Sequence, residues 1–141
     1  AAEPQTSRPA PVGGTETLLV VEDEASVRSL VRSVLERRGY AVLEASNGVE
    51  ALKVWAAHRD AISLVFTDMV MPEGIGGQEL ARRLRAEKPE LRVVFSSGYS
   101  PEIAGRELKL GAGENFLQKP FTTEQLLDHV RQALDATPTL A

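Results

Sequence analysis

Cysteine is absent from the 141 residues. That excludes a disulfide framework, a thiolate metal site and a cysteine nucleophile. It fits a reducing compartment, and a cytoplasmic setting is the expectation. No apolar run approaches membrane-spanning length, so no membrane contact is expected. The first residues lack the basic-then-apolar order of a signal peptide. Neither end carries a recognisable DNA-binding module, and no internal repeat is visible. Charge of one sign is not in excess either: the net charge is −4, which gives no reason to expect direct nucleic-acid binding. The two histidines, His58 and His129, have no metal-spaced partners, and both read as solvated.

What is present is an ordinary globular balance, 43% hydrophobic and 26% charged, at a length that suits one domain with a full core. Residues 1–16 hold Pro4, Pro9, Pro11, Gly13 and Gly14 among small and polar residues, a linker composition. Residues 137–141 form a small, polar tail. Between them, from 17 to 136, short apolar runs alternate with helical stripes. Leu18 to Val21 is a continuous apolar run, as in a buried parallel strand. Val27, Leu30, Val31, Val34 and Leu35 then fall on one helical face, with Arg28, Arg32, Glu36, Arg37 and Arg38 opposite and Gly39 as the stop.

The pattern repeats. Tyr40 to Ala45 is a second strand, Asn47-Gly48 a turn signal, and Val49, Leu52, Trp55 and Ala56 a second stripe. Ala61 to Thr67 leads into Asp68, Met71-Pro72 and a glycine-rich turn. Leu80, Ala81 and Leu84 mark a third helix, and Val93-Val94-Phe95 a fourth strand running into Ser96-Ser97-Gly98. Residues 101–110 make a weak helix candidate. Asn115 to Gln118 is a fifth strand ending at Lys119-Pro120. Thr122 or Thr123 caps a last helix, whose buried face is Leu126, Leu127, Val130, Ala133 and Leu134. Five strand–helix units imply an α/β fold: a doubly wound, flavodoxin-like (βα)5 parallel sheet, most commonly in the order 2-1-3-4-5.

In such a sheet every strand ends on one edge, which is the ligand edge. The first strand brings Glu22 and Asp23 there, the third Asp68, the fourth Ser97 and the fifth Lys119. Each has a bland alternative as a cap or a solvated side chain, but the gathering does not. Two like charges ~4 Å apart repel by about 4 kcal/mol at an effective dielectric of 20. Three carboxylates need more than one lysine, and an all-oxygen site with room for water suits Mg²⁺. With Mg²⁺ and Lys119 the charge sums to zero, so a phosphoryl group can enter.

From about Thr17 to Ala136 the chain resembles a response-regulator receiver domain. Val21-Glu22-Asp23, Asp68 with Met71-Pro72, Ser97-Gly98 and Lys119-Pro120-Phe121 carry the resemblance. It implies that Asp68 accepts a phosphoryl group from a histidine kinase or a histidine phosphotransfer domain. It implies that Glu22, Asp23, Asp68 and the backbone carbonyl of Val70 hold Mg²⁺. Ser97 and Lys119 would bind the phosphoryl oxygens, Ser97 and Phe116 would form the switch, and the Lys119–Pro120 peptide would be cis. Glu22 and Ser97 depart from the commoner aspartate and threonine but keep the charge and the hydroxyl.

The implied role is a signalling domain that catalyses only its own phosphorylation and dephosphorylation, and a monomer is expected. A Mg²⁺-dependent phosphohydrolase would need an acid two residues after the nucleophile, where Val70 stands. A pseudo-receiver would lack part of the cluster, and none is missing. The Pro/Ala-rich lead resembles the joint before the C-terminal receiver of a hybrid sensor histidine kinase, with a stand-alone regulator as the alternative.

Overall fold

The computed structural model describes residues 13–71, 74–98 and 114–135. Strands β1 (Thr17–Val21), β2 (Ala41–Ala45), β3 (Ile62–Asp68), β4 (Arg92–Ser97) and β5 (Glu114–Gln118) form one sheet. All pairings are parallel and the order is β2-β1-β3-β4-β5, as the alternating pattern implies. Helices α1 (Ala25–Arg37), α2 (Gly48–His58), α3 (Gly77–Glu87) and α4 (Thr123–Asp135) are described. The weak candidate at 101–110 lies outside the described residues, as do the lead up to residue 12 and the tail from 136.

Continuous apolar strands are explained by burial on both faces. Leu18 and Val20, Leu64 and Phe66, Val94 and Leu117 pack under Val31, Val34 and Leu35 of α1 and Leu126, Leu127 and Val130 of α4. The alternate residues Leu19 and Val21, Val65, Val93 and Phe95 pack under Ala51 and Trp55 of α2 and Leu80, Ala81 and Leu84 of α3. Leu30 and Val49 depart from the stripes assigned to them: they are 59% and 51% exposed.

The helix ends follow local chemistry. Gly39, at φ +99°, closes the turn after α1. Asn47 caps α2 rather than merely turning the chain, its Oδ1 accepting from Glu50 N at 2.8 Å. Thr122 and Gln125 form a reciprocal capping box at α4, Oγ1 accepting at 3.0 Å and Oε1 at 2.9 Å. Part of the expected linker is held down. Gly14 N donates to Arg38 O at 3.1 Å, and Arg131 of α4 donates to Gly13 O and to both oxygens of Glu16.

Candidate phosphoacceptor site

The sheet order puts β1 and β3 side by side, so their ends deliver the acidic residues to one place. Asp68 is the last residue of β3 and is buried. Glu22 follows β1 directly; its N–H donates to Ala45 O at 3.1 Å, which prolongs the β1–β2 ladder. Its side chain is only 1% exposed, so the carboxylate demands a partner. One Glu22 oxygen accepts from Glu24 N at 3.1 Å at the start of α1. The other accepts from Lys119 Nζ at 3.0 Å, and the same ammonium donates to Asp68 Oδ2 at 3.3 Å. Asp23 is exposed beside them. Glu22, Asp23 and Asp68 each present a carboxylate oxygen within 4.8 Å of the others.

Burial pushes the Glu22 carboxyl up, against the bond from Lys119 that pulls it down. Asp68 is likewise pushed up by burial, with Lys119 opposing. Burial draws the Lys119 ammonium down, but the bond to Glu22 and the attraction of Asp68 outweigh it, and the net movement is upward. Both carboxyls therefore hold a proton more readily than usual although a lysine bridges them. Geometry adds that three carboxylates gather here around one bridging ammonium, a deficit of positive charge among the described residues. A hard divalent cation with oxygen ligands fits that deficit, and the all-carboxylate donor set fits Mg²⁺.

The other expected residues reach the same edge. Ser97 ends β4, is buried, and its carbonyl accepts from Lys119 N at 2.8 Å, which sets where the lysine leaves β5. The Lys119–Pro120 peptide is cis, as the resemblance implies. Val70 is 56% exposed two residues past Asp68, and its N–H makes a long 3.4 Å contact with Asp68 Oδ1. Phe116 is the register partner of Phe95 and packs, partly buried, on the core under α2 and α3. Alternation along β4 turns Ser97 to that face with Phe95. Pro72 lies outside the described residues.

Three features escaped the sequence reading. Arg28, assigned to the solvated face of α1, reaches back to the site: Nη1 donates to Glu22 O at 2.7 Å and Nε to Glu44 at 3.1 Å. Its signal is an arginine in the first turn after the acidic pair. His129 is half-buried rather than solvated, with Nδ1 2.7 Å from Asn115 Oδ1. Ser96 Oγ is buried without a hydrogen-bond partner among the described residues. Trp55 belongs to the core as expected, and its Nε1 donates to Glu87 at the far end of α3, away from the acidic cluster.

Comparisons with known proteins agree with this geometry. The family profile described as the response regulator receiver domain matches residues 18–131. The sensor kinase CckA of Brucella abortus is 38% identical over 135 residues, 96% of this chain but 14% of that protein, so the chain spans a small part of that relative. Sporulation initiation phosphotransferase F of Bacillus subtilis is 31% identical over 120 residues, 84% of this chain and 94% of that protein. The crystal structure of the receiver domain from the hybrid histidine kinase CckA superposes with a TM-score of 0.69 at 37% identity, covering 84% of this chain and 99% of that one.

Proposed function

The chain belongs to the response regulator receiver family, a phosphoacceptor domain of two-component signalling, and from that premise we propose that Asp68 is the acceptor and Lys119 its charge partner. The observation that carries the reading is the lysine bridge: one ammonium joins two buried carboxylates delivered by the ends of β1 and β3. In the transfer, an Asp68 carboxylate oxygen attacks phosphorus. The bond from phosphorus to the donor's imidazole nitrogen breaks, and its electron pair leaves with the imidazole. Lys119 turns its charge to the incoming phosphoryl oxygens, and the Ser97 hydroxyl donates to another. Glu22, Asp23, Asp68 and the Val70 carbonyl would hold Mg²⁺, and the chemistry it would supply there is positive charge against the phosphoryl oxygens.

The switch runs through Ser97 and Phe116: Phe116 packs with its register partner Phe95 on the α2/α3 face of the sheet, and alternation from Phe95 carries Ser97 to the same face. The proposed phosphodonor is a histidine kinase or a histidine phosphotransfer domain. Hydrolysis of the aspartyl phosphate by this same site makes the domain self-resetting. Similarity to the CckA sensor kinase over 96% of the chain supports a receiver carried by a hybrid kinase. A monomeric module acting in the cytoplasm is the setting proposed with it. No helix among the described residues is long and apolar enough to cross a membrane.

Incubation with a small acyl-phosphate donor and Mg²⁺, followed by mapping of the adduct, tests the assignment. Label on Asp68 alone is expected, with none on Asp68→Asn and none without Mg²⁺. Label on another residue, or full labelling of Asp68→Asn, would sink it.

A further inference from the structure

The turn from β5 into α4 carries two side chains that reach the same strand. In the sheet, β4 stands between β5 and β3. Lys119 Nζ nonetheless donates to Asp68 Oδ2 of β3 at 3.3 Å. Phe121 sets its ring edge-on to Phe66 of that strand, with centroids 6.0 Å apart and planes at 76°. Phe66 and Asp68 are two residues apart, so alternation puts both on one face of the sheet, the face under α1 and α4. Lys119 and Phe121 are two apart as well. The turn therefore comes back across the end of β4 and holds to β3 at two points, one charged and one apolar. Pro120 between them is exposed and has no N–H to donate.

The two holds differ in what loosens them. The charged one is given up in the proposed reaction, because Lys119 turns from the carboxylates to the phosphoryl oxygens. The apolar one does not depend on charge, and it is tied further. Thr122 caps α4, its Oγ1 accepting from Gln125 N at 3.0 Å, so Phe121 is the residue before the cap and Leu126 the fourth helical residue. Those two positions pair as a hydrophobic staple, and both side chains pack in the core under α1 and α4. Phe66, the ring that Phe121 meets, is fully buried. On the other flank Lys119 N donates to Ser97 O at 2.8 Å. Resting on the reading that Asp68 is phosphorylated and that Lys119 then meets the phosphoryl oxygens, we propose that Phe121 is the positioning residue for Lys119. A lysine is a point charge on a flexible four-carbon stem, so where its root stands decides where the ammonium can go. The Phe66–Phe121 contact fixes that root against the strand that carries the acceptor, and keeps it fixed while the ammonium changes partners. The carboxylates come from the ends of β1 and β3 and do not rely on this turn for their own placement. Loss of the ring therefore slows transfer and leaves the cation site intact.

The test times labelling by a small acyl-phosphate donor and Mg²⁺ in wild type, Phe121→Leu, Phe121→Tyr, Lys119→Ala and the double variant of Phe121→Leu with Lys119→Ala. Mg²⁺ affinity of each chain is measured by calorimetry. Phe121→Leu stays apolar but loses the ring, and should label about five- to twentyfold slower, the scale of a misplaced reacting group. Its Mg²⁺ affinity should stay within about twofold of wild type, as for sites that share no partner. Phe121→Tyr keeps the ring and should label within about twofold of wild type. In the double variant no lysine is left to position, so the leucine should cost no more than about twofold beyond Lys119→Ala alone. A side chain that only fills the core would slow both backgrounds by the same factor. A wild-type rate in Phe121→Leu, an Mg²⁺ affinity that falls along with the rate, or equal slowing in both backgrounds overturns the proposal. Should Phe121→Leu fail to fold, Phe121→Met takes its place throughout. Should Lys119→Ala label too slowly to be timed, the rate and the Mg²⁺ affinity of Phe121→Leu, taken together, decide. A wild-type chain that takes no label on Asp68 overturns this proposal and the reading beneath it together. A labelled wild type with Phe121→Leu at the same rate overturns this proposal alone.

Discussion

Lys119 Nζ lies 3.0 Å from Glu22 Oε1, tying the residue after β5 to the residue after β1 across the sheet edge. The contact spans 97 positions of sequence and joins a half-buried ammonium to a carboxylate that water does not reach. It neutralises Glu22 and Asp68 in part, and it keeps the lysine within 3.3 Å of Asp68 Oδ2.

Removing the lysine separates its two roles. Lys119→Ala leaves two buried carboxylates facing each other without a cation. In metal-free buffer at neutral pH the variant should lose about 1–3 kcal/mol of stability, a figure set by the solvent that still reaches the lysine. Mg²⁺ should restore more stability to the variant than it adds to wild type, because the cation replaces the missing charge. Metal affinity, measured by calorimetry, should be kept or tightened while phosphorylation-dependent output fails. Trp55 is a poor reporter here, since its indole points to Glu87 and not to the acidic cluster. A large loss of Mg²⁺ affinity in Lys119→Ala would contradict the role.

Arg28 should matter to the metal although it touches no ligand oxygen of the cluster. Its guanidinium holds the Glu22 carbonyl from α1 and is itself held by Glu44 of β2, which Arg32 also bonds. Groups of this kind orient ligands, and their loss typically costs ten- to a hundredfold in metal affinity. Arg28→Ala should weaken Mg²⁺ binding by roughly tenfold. Arg28→Lys, which cannot make both bonds in fork geometry, should recover only part of it. Calorimetric titration of the three chains checks this. Equal affinities would show that the carbonyl clamp is only structural.

His129 gives the domain a pH dependence outside the site. Burial holds its imidazole below the ordinary histidine value, with Asp128 pulling weakly the other way, and Nδ1 faces Asn115 Oδ1 on β5. A base depressed in the folded chain binds its proton more readily when unfolded. Stability is therefore full above the unfolded value, about 6.5, and falls as pH drops from there toward the lower folded value. Urea unfolding at pH 7.5 and at progressively lower pH should show this slope in wild type and lose it in His129→Gln. An identical slope in both chains would assign it to other groups.

The strands and the acidic edge were legible because burial on both faces writes an unbroken apolar run, and because each run stops at a charged or hydroxyl residue. What failed was anything that depends on angle or register. Leu30 is one residue before the buried Val31, about 100° round the helix, so it fits an apolar stripe by count yet faces outward. Val49 precedes Ala51 by two residues, about 200° of rotation, and faces outward likewise. His129 read as solvated because its neighbours Asp128 and Arg131 are charged, whereas its partner Asn115 lies on another element. Ser97 is assigned to the site together with Gly98, but nothing in the run Ser96-Ser97 says which face of the sheet either serine takes. Only the pairing of β4 with β3 shows which of them shares a face with Asp68.

Gly77 is the residue whose smallest change should reach the site through the backbone. It opens α3, and its N–H donates to Met69 O at 3.0 Å. A Cβ there would stand 2.3 Å from Asp68 O and 3.0 Å from Met69 Cα. Helix propensity alone favours alanine over glycine by about 0.8–1.0 kcal/mol. The clash works against that, because the obstacle is the carbonyl of the acceptor residue and not the end of a flexible side chain. Overpacking of this kind costs about 1–3 kcal/mol, so Gly77→Ala should be less stable than wild type by up to about 2 kcal/mol. The loop after β3 must move to admit the methyl group, and Asp68 moves with it. Labelling by a small phosphodonor should slow by roughly tenfold or more, since misplacement on the order of an ångström has large effects on in-line attack. Gly98→Ala is the control for the loss of a glycine near this edge, because a Cβ there meets nothing within 4 Å among the described residues. Its stability should stay within about 0.5 kcal/mol of wild type. A Gly77→Ala chain that is more stable than wild type and is labelled at the wild-type rate would show that α3 can back away from β3 without disturbing the acceptor.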